Sequence, residues 1–198
     1  MKHTLAQHSS IALAIALAYV LAYGLVAKIV TPIQGIFLPE ITTYASLVFL
    51  PHGVRILATM YFGWKAIAPL LLGSAVSSYL FGPATVPEIS TLTVAISHLV
   101  GAVCALVSFE VFRVFGKDHY YATNRQTHWK QLVYVGILAS VLNSAGQVFV
   151  YSDHIDPVAF SRVASTYALG DTLGLIASML CLMLLFRWAR AARQVLRK

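Results

Sequence analysis

The chain has 198 residues, of which 59% are hydrophobic and only 11% charged, with a net charge of +7 and a mean hydropathy of +0.76. A water-soluble domain of this size carries about 25% charged residues, so a soluble enzyme is excluded and lipid must solvate most of the outside. The length fits one domain, residues 1–198.

Six stretches are apolar over about the 20 residues that a transmembrane helix needs. In chain order they are Ser10–Val30, Tyr44–Gly63, Ala66–Phe81, Ile89–Phe115, Lys130–Tyr151 and Arg162–Trp188. Continuous runs such as Ile11–Ala27, without alternation of period two, exclude a β-barrel. The first run is too long for a signal peptide and lacks an evident cleavage site. The expected fold is therefore an all-α integral membrane protein with six spans. Thr31–Thr43 is expected to dip back as a short re-entrant piece, and Phe81–Glu88 to form a tight turn.

In span one, Ala14, Ala18 and Ala22 recur every four residues. Such a ridge permits close packing against another helix, within the chain or of a second membrane protein, and is a candidate docking face. In span two, Pro51 and Gly53 are expected to break the helix, since proline removes a donor and crowds the preceding turn. In span six, Gly170 and Gly174 bracket Asp171, a pattern that lets a neighbour approach closely.

Lys and Arg set the orientation. Eleven cations fall on one side: Lys2, Lys65, Arg113, Lys117, Arg125, Lys130, Arg187, Arg190, Arg193, Arg197 and Lys198. Lys28 and Arg162 fall on the other, with Glu40, Glu88, Asp153 and Asp156, and Arg55 is left over. Both termini are thus expected in the cytoplasm, residues 187–198 forming a basic tail, and the location expected is a bacterial inner membrane. The cations read as a collar against anionic headgroups, each worth about 1 kcal/mol near the surface, not as a nucleic-acid surface. Trp64, Trp129 and Trp188 fall at that same edge as interface anchors.

Polar residues within spans are expensive, about 2.5–3.5 kcal/mol for a charge at the helix centre, and so need a partner or a task. His52, His98, Asn143 and Asp171 lie at a similar depth, roughly 12–15 Å below the outer surface at 1.5 Å per residue. Arg55 is one turn beyond His52, and Gln147 one turn from Asn143. These six are the candidate ligand site or polar clamp, with Asp171 expected to pair with Arg55 or His52. Haem or metal between His52 and His98 has little support, because no C-x-x-C-H string or i, i+4 ligand pair is present. Asp153, His154 and Asp156 read as a solvated turn rather than a cation site. Cys104 and Cys181 read as small apolar fillers, and Glu110 as a local partner of Arg113. No Walker A, G-x-S-x-G or H-E-x-x-H string occurs, so no catalysis is expected.

The run Leu47-Val48-Phe49-Leu50-Pro51-His52-Gly53-Val54-Arg55, then Gly63-Trp64 and Pro69-Leu70-Leu71-Leu72-Gly73, resembles the membrane-associated sensor (MASE-type) domain of bacteria. Sugar-phosphate sensor kinases carry a similar membrane region, and Gly170-Asp171-Thr172-Leu173-Gly174 resembles the late aspartate–glycine motif of the family. The resemblance implies a sensory or scaffolding module that acts through a partner protein; the missing ligand motifs leave no cofactor expected. Family members usually continue into a cytoplasmic output domain, whereas this sequence stops at Lys198. The competing expectation is the substrate-capturing subunit of a vitamin-type transporter, which would hold a small molecule near the outer face. An accessory subunit of a larger membrane complex is the third.

Overall fold

The computed structural model describes residues 2–37, 46–82, 89–121, 123, 129–154 and 160–195. Among these every regular element is a helix: α1 (Lys2–Leu25), a π-turn (Val26–Val30), α2 (Thr31–Phe37), α3 (Leu50–Phe62), α4 (Ile67–Phe81), α5 (Thr91–Val114), α6 (Trp129–Val150) and α7 (Phe160–Val195). Short 3-10 turns cover Gly63–Ala66 and Ser152–His154. Five helical stretches are long and apolar enough to cross a membrane, namely Ser9–Phe37, Leu50–Phe81, Thr91–Val114, Trp129–Val150 and Phe160–Ala192.

The 32-residue stretch Leu50–Phe81 is not one rod. A straight helix of that length would part its ends by about 48 Å, yet Tyr23 touches both. Its ring lies 6.0 Å from that of Phe49 and 6.2 Å from that of Phe81, centroid to centroid. The chain reverses at Gly63, whose φ of 55° is open to glycine at little cost, and α4 returns antiparallel to α3. All of α3 to α7 alternate in direction, so that the bundle has two ends. One holds the starts of α3 and α5 and the ends of α4 and α6; the other holds the Gly63–Ala66 turn, the start of α6 and the long end of α7.

Two expectations are corrected. Span two is not broken at Pro51 and Gly53: α3 begins at Leu50 and runs unbroken to Phe62. Pro51 sits in its first turn, where the missing N–H had no helical partner to lose. The irregular backbone comes earlier, at residues 46–49. Thr31–Phe37 is not re-entrant but continues the first rod past the π-turn, in which the Thr31 N–H bonds Val26 O. The rest of that loop, residues 38–43, lies outside the described residues, as do 83–88 of the expected turn. Residues 187–195 of the expected basic tail continue α7 as helix.

Helix α3 is the axis of the bundle, packed against α1, α5, α6 and α7, while α1 also packs on α4. Most of its surface is buried, including Pro51, His52, Gly53, Arg55, Ile56, Thr59 and Met60. Glycines permit this crowding. A Cβ on Gly53 would collide with Ser178 of α7, and one on Gly174 would collide with the carbonyl of Phe49. The 46–49 strap therefore lies directly on the Gly170–Gly174 face of α7, where the sequence pattern suggests a helix. Non-helical backbone at membrane depth needs every polar group satisfied by protein. Here Leu47 N–H donates to Gln34 Oε1 at 2.7 Å, Phe49 N–H to Gly170 O at 2.9 Å, and Val48 N–H to Ser46 Oγ at 3.4 Å.

The outward surface is what lipid would meet. Leu13, Leu17, Leu21 and Leu25 form an exposed stripe along α1, and Trp64, Trp129 and Trp188 are exposed near helix ends. A soluble monomer rarely leaves so much contiguous apolar surface uncovered. Ala14 and Ala18 also face outward, whereas Ile15, Ala16 and Tyr19 face the bundle. The tight α1–α4 contact is made at Gly73, where a Cβ would lie 2.9 Å from Tyr19 and 3.0 Å from Ala16 O, and not along the Ala14 ridge.

Candidate functional site

The bundle interior is divided along its length. Beyond Arg55 on α3, Gly101 on α5 and Asp171 on α7, and before Asn143 on α6, the core is mainly apolar, built of Ile56, Met60, Ala105, Phe109, Leu132, Val135, Ala139 and Leu175, with the hydroxyls of Thr59, Ser108 and Ser140 buried beside it. In the other half lies a cavity of about 580 Å³. Arg55, Asp171, Asn143 and Tyr19 lie at its depth. Ser74, Ser78, His98, Ser97 and Gln147 line its wall, and Tyr23, Phe49, Phe81, Tyr151 and Tyr167 ring it toward the helix ends. The volume falls within the 300–1,000 Å³ or so usual for small-molecule pockets. A smaller concavity of about 330 Å³ on the outer face of α5, lined by Leu106, Val107 and Val111 with Glu110 at its edge, lacks convergent polar groups.

One wall is a hydrogen-bonded chain across α5, α6 and α7, with His52 of α3 facing its end. Ser97 Oγ donates to Gln147 Oε1 at 2.7 Å, and Gln147 Nε2 donates to Ser97 O at 3.1 Å and Asn143 Oδ1 at 3.3 Å. Asn143 Nδ2 then donates to Asp171 Oδ2 at 2.6 Å. The same carboxylate oxygen lies 3.4 Å from His52 Nδ1, both side chains being essentially inaccessible at 1% and 0%. On its far side, His52 Nε2 sits 3.2 Å from Gly136 O and 3.4 Å from Ser140 Oγ. A carbonyl only accepts, so the Nε2 contact with Gly136 needs a proton there. Nδ1 then faces the carboxylate attractively only when the pair holds one further proton.

Arg55 stands apart from this network. Of the two partners expected for Asp171, the structure supplies His52; no Arg55 nitrogen comes within ion-pair distance of the carboxylate. Arg55 Nη2 instead donates to Tyr19 Oη at 2.8 Å, and its Cζ lies 5.6 Å from the Tyr19 ring centroid and 5.4 Å from that of Phe49. Gly101 makes room for the guanidinium, since a Cβ there would lie 2.6 Å from Nη2. Arg55 is 6% exposed and, among the described residues, its Nη1 has no hydrogen-bond partner.

His98, half-buried on α5, bonds Ser78 Oγ of α4 through Nε2 at 2.8 Å. His52 and His98 thus engage different helices through the nitrogens a metal would need. Among the described residues no cluster of three His, Cys, Asp or Glu side chains is assembled. Asp153 lies in the 3-10 turn after α6, while Asp156 is outside the described residues. Cys104 packs in the apolar core and Cys181 is exposed on α7. Glu110 does meet Arg113, at 3.2 Å and exposed, and also accepts from Tyr120 Oη at 2.9 Å. Tyr120 stacks on Phe109 at 4.9 Å. Burial, and then the Glu110 hydrogen bond, push its phenol well above the usual range.

Five of the six candidate polar residues, Arg55, His98, Asn143, Gln147 and Asp171, line the cavity, and His52 lies behind Asp171. Tyr19, Tyr23, Ser78 and Tyr167 belong with them although the sequence reading passed them over. Tyr19 and Tyr23 stand one turn apart on span one, an aromatic hydroxyl pair in an otherwise aliphatic run. Compared with protein-family models, curated proteins and solved structures, the chain matches none. What the fold defines is a helical protein with several membrane-length apolar helices and a polar pocket among them.

Proposed function

We propose that this is a small-molecule receptor of the bacterial inner membrane, a sensory module that binds its ligand in the cavity and acts through a partner protein, as the MASE-type resemblance implies. The observation that carries the reading is the lengthwise division of the bundle. The polar cavity faces one end, and the apolar core closes the other, so a ligand can enter and be held but has no polar route through. That suits a receptor better than a channel or a self-sufficient transporter.

In this reading α3 and α4 count as separate spans, which makes six, with both termini cytoplasmic. Lys65, Arg113, Lys117, Lys130, Arg187 and Arg190 then fall on the cytoplasmic side, and Lys28 and Arg162 on the outer side with the pocket mouth. The capture subunit of a vitamin-type transporter is the second reading. It is favoured by the outward Ala14–Ala18 face of α1, open to a close-packing membrane partner.

Purification of the full chain in mild detergent, with mass spectrometry of retained proteins and small molecules, tests both. A ligand retained near one per chain by wild type, and lost in Ser78→Trp, which fills the cavity, is the expected result. Equal retention by the blocked variant would refute a receptor site here. A copurifying kinase, cyclase or regulator supports sensing; an ATPase with its membrane coupler supports capture.

A further inference from the structure

We propose that the cavity selects an organic acid, a ligand with one carboxylate held by Arg55 and Tyr19 and an apolar body lying among the rings of Tyr23, Phe49 and Phe81. The inference rests on the receptor reading above and names its ligand class.

The starting point is a buried charge that the network leaves without an opposite charge in contact. Asp171 is satisfied by Asn143 at 2.6 Å and faced by His52 at 3.4 Å. Gln147 and Ser97 satisfy one another, as do Ser78 and His98. Arg55 has a neutral phenol and two aromatic faces. Among the described residues no anion is in ion-pair contact with this buried cation, the Asp171 carboxylate sharing the cavity but not a contact. Such a charge is unfavourable, and aromatic faces offset only part of that. The fork itself is incomplete. Nη2 is used by Tyr19, Nη1 has no acceptor among the described residues, and the Tyr19 hydroxyl, having accepted from Nη2, retains its own proton to donate. Two adjacent donors around one fixed positive charge match the two oxygens of a carboxylate.

Size and charge narrow the class. A cavity of about 580 Å³ is far larger than an inorganic anion, and its mouth is aromatic. A single guanidinium, with the Asp171 carboxylate in the same cavity, suits one negative charge better than the two of a phosphate monoester.

The test uses the full chain in nanodiscs of phosphatidylcholine and measures binding of benzoate, 1-naphthoate and hexanoate, each beside its neutral amide, with phenyl phosphate and inorganic phosphate as further probes. At least one acid is expected to bind ten or more times (~) tighter than its amide and than phenyl phosphate. Arg55→Lys, which keeps the charge but loses the fork, is expected to weaken that acid about tenfold, and Arg55→Gln to abolish the preference for acid over amide. Amides binding as well as their acids, or the preference surviving in Arg55→Gln, would overturn the carboxylate while leaving the receptor reading standing. Phenyl phosphate binding as tightly as the best acid would overturn it too. No binding by any probe up to about 10 mM would remove both. If phosphatidylglycerol in the nanodisc competes with the acid and the mild-detergent protein retains only that lipid, the occupant is a headgroup and the organic acid is overturned. Wild-type discrimination between acid and amide decides the matter even if both Arg55 variants fail to fold.

Discussion

Replacing Gly174 by alanine sets two effects of opposite sign against each other. In a helix interior alanine is favoured over glycine by about 1 kcal/mol, so on propensity alone Gly174→Ala would stabilise α7. The new methyl, however, meets the carbonyl, carbonyl carbon and nitrogen of Phe49. These are backbone atoms of a strap pinned by the 2.9 Å Phe49 N–H to Gly170 O bond, so they cannot rotate away. Overpacking a rigid contact costs about 1–3 kcal/mol, and losing the strap hydrogen bond about 1 kcal/mol more. The net expectation is destabilisation by about 1–3 kcal/mol, or a fall in Tm of about 2–12 °C for a chain of this size. Moving the strap also lifts the Phe49 ring from Arg55, so ligand retention falls with it. Gly146→Ala is the control, because there the methyl meets only side-chain carbons of Val100. Thermal unfolding of both variants in one detergent measures the difference. If Gly174→Ala melts at or above wild type, the strap is not held against α7 in the way described.

Asp171→Leu strands Asn143 Nδ2 and His52 together and is expected to destabilise by about 3 kcal/mol, against about 1 kcal/mol for Asp171→Asn, which can still accept from Asn143; reversible unfolding in detergent ranks them, and equal effects would argue against the network. Arg113→Ala removes an exposed pair and should change stability by less than about 0.5 kcal/mol, so a large loss by the same assay would refute a local role for Glu110–Arg113. In a background without Cys104 and Cys181, Lys28→Cys is expected to react with an impermeant maleimide in intact cells, and Lys65→Cys and Lys117→Cys only after permeabilisation. Labelling of Lys65→Cys from outside would reduce the count to five crossings.

Helix boundaries were legible because the length of an apolar run is itself the signal. Ile89–Phe115 was read for a helix found at Thr91–Val114, and Lys130–Tyr151 for one at Trp129–Val150. Pro51 misled because proline has the same composition signal in a first turn as in a broken middle. What decides is whether residues 46–49 are helical, and that depends on Gly170 and Gly174, more than 100 residues away in sequence. The candidate polar residues were recoverable from cost: a side chain that lipid penalises stands out in an apolar run. Tyr19 and Tyr23 carry no such penalty signal, since each is mostly aromatic carbon. Their part in the pocket emerges only once α1 is laid against α3 and α4. Pairwise choice was beyond the sequence as well, since Arg55 and His52 are one turn apart and both are in reach of an acid on span six.

Helix α7 contributes Tyr167 and Asp171 to the cavity and then continues without interruption to Val195. From Asp171 that is a rigid arm of about 36 Å at 1.5 Å per residue. It passes the apolar core only at its near end and leaves the bundle with Arg187 and Arg190 exposed. A tilt of about 5° about the cavity would swing its tip by about 3 Å, more than the clearance of a packed interface. In the receptor reading proposed above, a pocket closed at its inner end would still have an output, delivered as displacement of a lever.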